Sequence, residues 1–318
     1  MNTAFQKRLQ AFRVLSKQIA VLLDKGEFNA VIEQQSIETF FTKYQSLFQQ
    51  NSVSQKIAVI AAGNIPCIAF HDFFCILASG NQFIGKLSKQ DALLLPFLAK
   101  ILVEIEPDFA EKISFVEKLP KFNKIIATGS NNSARYFEYY FKDYPTLIRK
   151  NRNSIAILNG SETEEELRRL AVDVFQYFGL GCRSVSKIYL PENYNFKMLI
   201  DIFQEESKSL LLHNGYVNNY EYHRAIYTLN KISFYEGNSF LLVKNQSLVS
   251  PISVIYYEEY KSINEVKTSV QLHKQEIQCI VSNETILENR ISFGKTQYPE
   301  LLDYPDNEDI MCFCESGV

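Results

Sequence analysis

The sequence predicts an α/β protein, in which a doubly wound parallel sheet is followed by a smaller α/β domain. Two observations lead there. From residue 56 to residue 177, short runs rich in Ile, Val and Ala alternate with helix-like runs. The same alternation resumes after residue 182. Strands alternating with helices imply a mostly parallel sheet covered on both faces. The chain is also long enough: 318 residues, 46% hydrophobic and 22% charged, can bury one large core or two linked ones.

The elements follow in order. Phe5, Leu9, Phe12, Leu15, Ile19 and Leu22 recur at spacings of three and four, which marks an amphipathic helix over 3–25. Ile37, Phe40, Phe41, Tyr44, Leu47 and Phe48 repeat the pattern, so two helices precede the first strand as a lid packed on the domain. Strands are then expected at 56–62, 82–87, 113–117, 124–127, 146–149 and 154–158. Helices are expected at 69–77, 91–105, 131–141 and 163–177. Glu164, Glu165 and Glu166 lie in the first turn of the last of these, where carboxylates suit the helix dipole. A strand over 185–190, a helix over 196–208, a Tyr- and Asn-rich stretch at 214–231 and strands near 252–257 and 277–282 complete the pattern. The domain junction is placed just before Cys182, giving a cofactor domain over 1–178, a nucleophile domain over 179–290 and a closing segment over 291–318.

Composition excludes several classes. The net charge is −3, whereas a dedicated nucleic-acid binder carries a basic balance or stripe. No run reaches the roughly 18 apolar residues of a membrane span. The polar first 13 residues lack an apolar signal core, so a cytoplasmic location is expected. The six cysteines are scattered and show no CxxC, and the four histidines form no HxxxH or HxxE pattern. Neither a disulfide framework nor a metal site is expected.

The chemistry-bearing residues cluster at predicted element ends. Cys182 lies in Phe178-Gly179-Leu180-Gly181-Cys182-Arg183, between a helix and a strand. A Gly-flanked elbow can present a thiol to a cleft as a covalent nucleophile, and the neighbouring Arg183 would favour the thiolate. A buried structural cysteine is the alternative. Gly63-Asn64-Ile65-Pro66 ends a strand at the sheet edge where open α/β proteins bind ligands. There the Asn64 carboxamide is suited to hold an oxyanion, or else caps a turn before a helix that Pro66 opens. Thr128-Gly129-Ser130 follows a strand and opens a helix, which fits either a pyrophosphate site or an ordinary N-cap. Gly179-Leu180-Gly181 is not a dinucleotide fingerprint, because a helix precedes it and Ser184 stands at the sixth position.

Taken together these segments resemble the aldehyde dehydrogenase superfamily, and more closely its LuxC-type acyl-CoA reductase branch. Asn64-Ile65-Pro66 is similar to the Asn-Phe-Pro oxyanion motif. Gly80-Asn81-Gln82-Phe83-Ile84-Gly85-Lys86-Leu87-Ser88 is similar to the Gly-Asn-x-x-x-x-Lys-Pro-Ser cofactor motif. Ala127-Thr128-Gly129-Ser130 resembles the Phe-Thr-Gly-Ser turn, and Phe175, Gly179 and Cys182 fit Phe-x-x-x-Gly-Gln-x-Cys. The tail at 293–301 resembles the closing segment of acyl-CoA reductases.

The resemblance implies an aldehyde-dehydrogenase-like fold with Cys182 and Asn64 catalytic. It implies a cofactor held by Pro66, Lys86, Ser88, Gly129 and Ser130. It implies reduction of an acyl-CoA or acyl-protein thioester to aldehyde, an acyl-transferring partner protein and a homodimer. Lys89 stands where a Glu often binds the ribose diol, so a 2′-phosphate is favoured and NADPH is expected ahead of NADH, unless Lys89 is only a surface lysine. Ile148 stands where aldehyde-oxidising relatives carry the Glu that activates water, and an apolar side chain cannot take that proton. Arg149, Lys150 and Arg152 form a basic cluster that would meet CoA phosphates or simply face solvent. Two departures point the other way: Ser247 stands where the family Glu contacts the nicotinamide ribose, and Leu180 replaces a Gln. They keep open a second reading, a weakly active or inactive relative that binds nucleotide or acyl groups as a partner subunit.

Overall fold

The structure is a computed structural model, and it describes residues 3–24, 34–47, 53–284 and 289–315. The chain divides into two compact units, one of Met1–Asn151 with Tyr298–Val318 and one of Arg152–Gln297.

The first unit is built on five parallel strands: β1 (Lys56–Ile60), β2 (Gln82–Lys86), β3 (Ile113–Phe115), β4 (Lys124–Thr128) and β5 (Thr146–Arg149). Their order is β3-β2-β1-β4-β5, so the winding reverses between β1 and β4. Side chains alternate across the sheet, as a pleat requires. Ile57, Val59, Phe83 and Ile126 face a large core with helices α1 (Thr3–Asp24), α2 (Gln34–Lys43), α3 (Phe70–Ala78) and α4 (Leu94–Ile105). Ala58, Ile84 and Ile125 face a thinner layer containing Phe122, with Phe141 beside it at the end of α5 (Asn131–Tyr140). The apolar stripe of α1 packs as its spacing predicts, with Phe12 and Phe74 rings 4.5 Å apart. Leu22 and Phe48, expected to extend these stripes, lie outside the residues whose side chains are described.

The second unit holds seven strands: β6 (Asn153–Ile157), β7 (Val185–Pro191), β8 (Phe234–Glu236), β9 (Leu241–Lys244), β10 (Val254–Tyr260), β11 (Ile277–Val281) and β12 (Arg290–Ile291). The order is β12-β11-β6-β7-β10-β9-β8, parallel except for the β8–β9 pair. Helices α6 (Glu164–Phe175) and α7 (Phe196–Glu206) pack their apolar faces on Ala156, Ile188, Leu242 and Ile255. Thr163 and Glu166 form a reciprocal capping box that fixes the start of α6.

Two expectations need correction. The junction falls after Asn151 rather than before Cys182, because β6 hydrogen-bonds to β7 and β11 and carries α6 with it into the second unit. The alternation of elements counts strands but does not say which sheet receives each. The second unit, Arg152–Gln297, is the smaller in residues, as expected, although it has the wider sheet. The closing segment also splits. Residues 291–297 stay with the second unit, while the helix Ile310–Glu315 packs against α3 in the first. There Lys124, fully buried on β4, donates to the carbonyls of Phe313 (2.8 Å) and Cys314 (3.1 Å). The Tyr- and Asn-rich stretch is α8 (Asn214–Leu229), whose buried face is only Tyr216, Tyr220 and Tyr227.

Candidate active site

The carboxyl edge of the first sheet gathers three of the singled-out segments. Adjacent pairing of β2, β1 and β4 sets Ile60 opposite both Lys86 and Ala127. The loops that follow therefore emerge side by side at the point where the strand order reverses, the usual ligand edge of such sheets. The approach is close: a Cβ built on Gly63 would lie 2.3 Å from Ser88 Oγ. Asp91, buried just beyond Ser88, accepts from the Ile68 amide at 3.2 Å and so ties the Asn64–Pro66 loop to the segment after β2. Asn64, Pro66, Lys86 and Lys89 are exposed, and Ser88 is half-buried, its hydroxyl capping a short turn by accepting from Gln90 N. Ser130 caps α5, its Oγ accepting from Ser133 N at 3.2 Å. Gly129 passes so near α5 that a Cβ there would meet Ser133 Cβ at 2.9 Å. Pro66 does not open a helix: α3 starts four residues later, after a turn in which Cys67 is left-handed (φ 57°).

Cys182 belongs to the second unit. Helix α6 ends at Phe175, and Tyr177, Phe178 and Gly179 then take left-handed backbone with φ of 53°, 60° and 71°. Phe178 is held there against His213, with ring centroids 4.6 Å apart. A turn closed by Ser184 N donating to Gly181 O (3.0 Å) places Cys182 and Arg183 at its tip, one residue before β7. Cys182 is exposed, and its carbonyl accepts from Ser154 Oγ at 3.0 Å. Burial pushes the Cys67 and Cys314 thiols up to about 12 and Cys75 well above its usual value, while Cys312 is exposed like Cys182, its thiol raised by partial burial and by Asp309.

Three of the basic residues singled out in the sequence have partners in the structure. Arg183 donates to Cys279 Sγ and to Thr296 O, each at 3.4 Å. The basic cluster is dispersed: Arg149 is buried in a two-pronged pair with Asp72 (2.7 and 2.8 Å), and Lys150 pairs with Glu138 at 2.8 Å. Ile148 lies half-buried on β5, and Ser247 is exposed between β9 and β10. Among the described residues no group of three metal-ligating side chains is found. No described helix is long and apolar enough to cross a membrane.

A family model described as acyl-CoA reductase (LuxC) matches residues 5–200, more than half of the chain. The chain belongs to the LuxC acyl-CoA reductase family. As a LuxC-family member it is an oxidoreductase of acyl and aldehyde groups. Among solved structures, it is similar to the NAD+ complex of an aldehyde dehydrogenase from Bacillus cereus, with a TM-score of 0.63 and 13% identity over 89% of this chain and 72% of that one. It is likewise similar to an NAD+-complexed aldehyde dehydrogenase of Mycobacterium tuberculosis, with TM-score 0.64 and 12% identity over 88% and 73%. An indole-3-acetaldehyde dehydrogenase of P. syringae gives TM-score 0.65 and 11% identity over 91% and 73%. At such identities these likenesses establish an aldehyde-dehydrogenase-like fold for the LuxC-family chain. Comparison with curated proteins gives no match.

Sequence reasoning missed Asp91, Ser154, Asp173 and Thr296. Asp173 had a legible signal, a carboxylate in the otherwise apolar run Ala171-Val172-Asp173-Val174-Phe175.

Proposed function

We propose that this chain reduces an acyl thioester to an aldehyde through an acyl group carried on Cys182. The observation that carries the reading is the contrast among thiols. Cys182 stands exposed at the tip of a tight turn, while Cys67, Cys75 and Cys314 are held protonated by burial, and the other exposed thiol, Cys312, is raised by partial burial and by Asp309. In the proposed reaction the Cys182 thiolate attacks the thioester carbonyl, the tetrahedral oxyanion collapses, and CoA or an acyl-carrier thiol leaves as thiolate. Asn64 is assigned to the oxyanion as a side-chain N–H donor. Half-buried Ile148, lacking any base, offers no proton acceptor for a hydrolytic water, so the acyl group persists on sulfur.

The carboxyl edge of the first sheet suits a dinucleotide. Gly63 lets the loop after β1 lie against Ser88, α5 directs the positive end of its dipole to that edge from Ser130, and Lys86 and Lys89 supply exposed cations for a 2′-phosphate. Pro66, Lys86, Ser88, Gly129 and Ser130 are the residues assigned to hold NADPH, with NADH as the alternative donor. Such a cofactor would supply hydride to the acyl carbon, and Cys182 would then leave as thiolate as the aldehyde is released. A homodimer, an acyl-transferring partner protein and a cytoplasmic setting complete the proposal. The exposed Ser247, in place of a ribose-binding Glu, favours the second reading, a relative that binds nucleotide or acyl groups without turnover.

The test is incubation with acyl-CoAs of several chain lengths and NADPH or NADH, following absorbance of the reduced cofactor. Acyl-CoA-dependent oxidation, faster with NADPH, is expected. No oxidation with any chain length or either cofactor would leave the binding role in its place.

A further inference from the structure

Asp173 is a carboxylate fully buried in α6, beside the core residues Leu170, Ala171 and Val174. Burying a charge there is costly unless it is well paired. Its partners all come from one short segment: Gly294 N at 2.6 Å, Thr296 N at 3.0 Å and Thr296 Oγ1 at 2.8 Å. The segment lies so close to α6 that Gly294 is left-handed (φ 78°) and a Cβ on it would sit 3.0 Å from Arg169 Cβ. The far side of the same segment reaches the nucleophile turn. The carbonyl of fully buried Thr296 accepts from Arg183, and Gln297 Nε2 donates to Ser184 Oγ at 3.3 Å. Those are the two residues that follow Cys182. The elbow before them holds two non-glycine residues, Tyr177 and Phe178, in left-handed backbone. Such residues cost about 1–3 kcal/mol each and persist only where their surroundings over-determine them.

We propose that Asp173 is a positioning residue for Cys182, acting through a strap of residues 294–297 that fixes where the turn aims its thiol. This rests on the reading of Cys182 as the acyl-accepting nucleophile. The role differs from mere packing in what it should discriminate. A small alkylating agent reaches an exposed thiol from many directions, whereas an acyl-CoA carbonyl must meet it in one. A displacement near 1 Å is enough to cost such a reaction about a hundredfold.

The experiment compares wild type with Asp173→Asn, Thr296→Val and Thr296→Ser. Acyl-adduct formation from acyl-CoA and alkylation by iodoacetamide are both followed at Cys182 by intact mass. The expected result is acyl transfer slowed at least about tenfold in Asp173→Asn and Thr296→Val, alkylation within about threefold of wild type, and near wild-type acyl transfer in Thr296→Ser. Hydrogen exchange over residues 177–186 should quicken in Asp173→Asn while β10 stays protected. A folded Asp173→Asn with unchanged acyl transfer and unchanged exchange at the elbow overturns the proposal. So does equal slowing of both reactions, which would mean lost exposure rather than lost aim. If Asp173→Asn does not fold, Thr296→Val against Thr296→Ser carries the same comparison. Wild type that takes no acyl group would overturn the proposed reaction, and an elbow that still loosens in Asp173→Asn would then show a structural tie in place of a positioning role.

Discussion

Burial raises the Asp173 carboxyl above its ordinary value near 3.8, against the three donors that lower it. The folded chain therefore binds this proton more tightly than the unfolded chain. Stability from this group is fully present below the unfolded value and is lost as pH rises through the folded one. Asn at the same place does not titrate, and other groups cancel in the difference. The stability of wild type relative to Asp173→Asn should thus be greater near pH 4 than at pH 7 in urea unfolding. A difference that grows with pH would contradict this sign. At the sheet edge, Lys86→Ala should weaken NADPH binding about tenfold and NADH binding less, since a hydrogen bond to a charged group is worth roughly 1.5–3 kcal/mol. Equal losses in calorimetric titrations with the two cofactors would contradict the reading of a 2′-phosphate.

At the scale of elements, the proposed dinucleotide edge depends on the close fit of the Gly63 loop to the Ser88 side chain after β2. Gly63→Ala puts a methyl group 2.3 Å from Ser88 Oγ, and one of the two segments must shift. Overpacking of this kind costs about 1–3 kcal/mol, so a modest fall in melting temperature is expected with a tenfold or larger loss of dinucleotide affinity. Affinity unchanged by fluorescence titration would remove this edge from the site. Most elements were legible because each carries one strong period: three and four in α1 and α2, and short apolar runs in β1, β2, β4 and β7. What was not legible had a physical cause. β6 reads as one more strand in the series, and only its hydrogen bonds assign it to the second sheet. In α8 the buried stripe is tyrosine, a residue equally at home in strands and on surfaces. The supports of the Cys182 turn are long-range partners, Ser154 and Thr296, which no local pattern announces.

At the scale of the whole molecule, the first unit is assembled from both ends of the described chain. Leu301, Tyr304, Ile310, Met311 and Cys314 are buried in its core, and Tyr44 hydroxyl bonds to Tyr304 and Asp309 at 2.6 Å. Truncation after Gln297 should therefore unfold the first unit. Each lost apolar side chain removes about 1.5–3 kcal/mol, and buried Lys124 loses both carbonyl acceptors, against a domain stability of about 5–15 kcal/mol. Limited proteolysis should then cut within residues 53–151 and spare 152–297. Equal resistance of both regions would show that the returning segment is dispensable. The candidate site was legible as separate motifs in the right order, whereas the buried Arg149–Asp72 pair shows how a cluster of charges in sequence can serve the interior instead.

The measurement that bears most directly on the whole account is the mass of Cys182 after mixing with an acyl-CoA in the absence of reduced cofactor. A stable acyl adduct mapping to Cys182 is predicted, discharged as aldehyde when NADPH is added and absent in Cys182→Ser. An adduct on Cys67, Cys75 or Cys279, or none with any chain length, would contradict it.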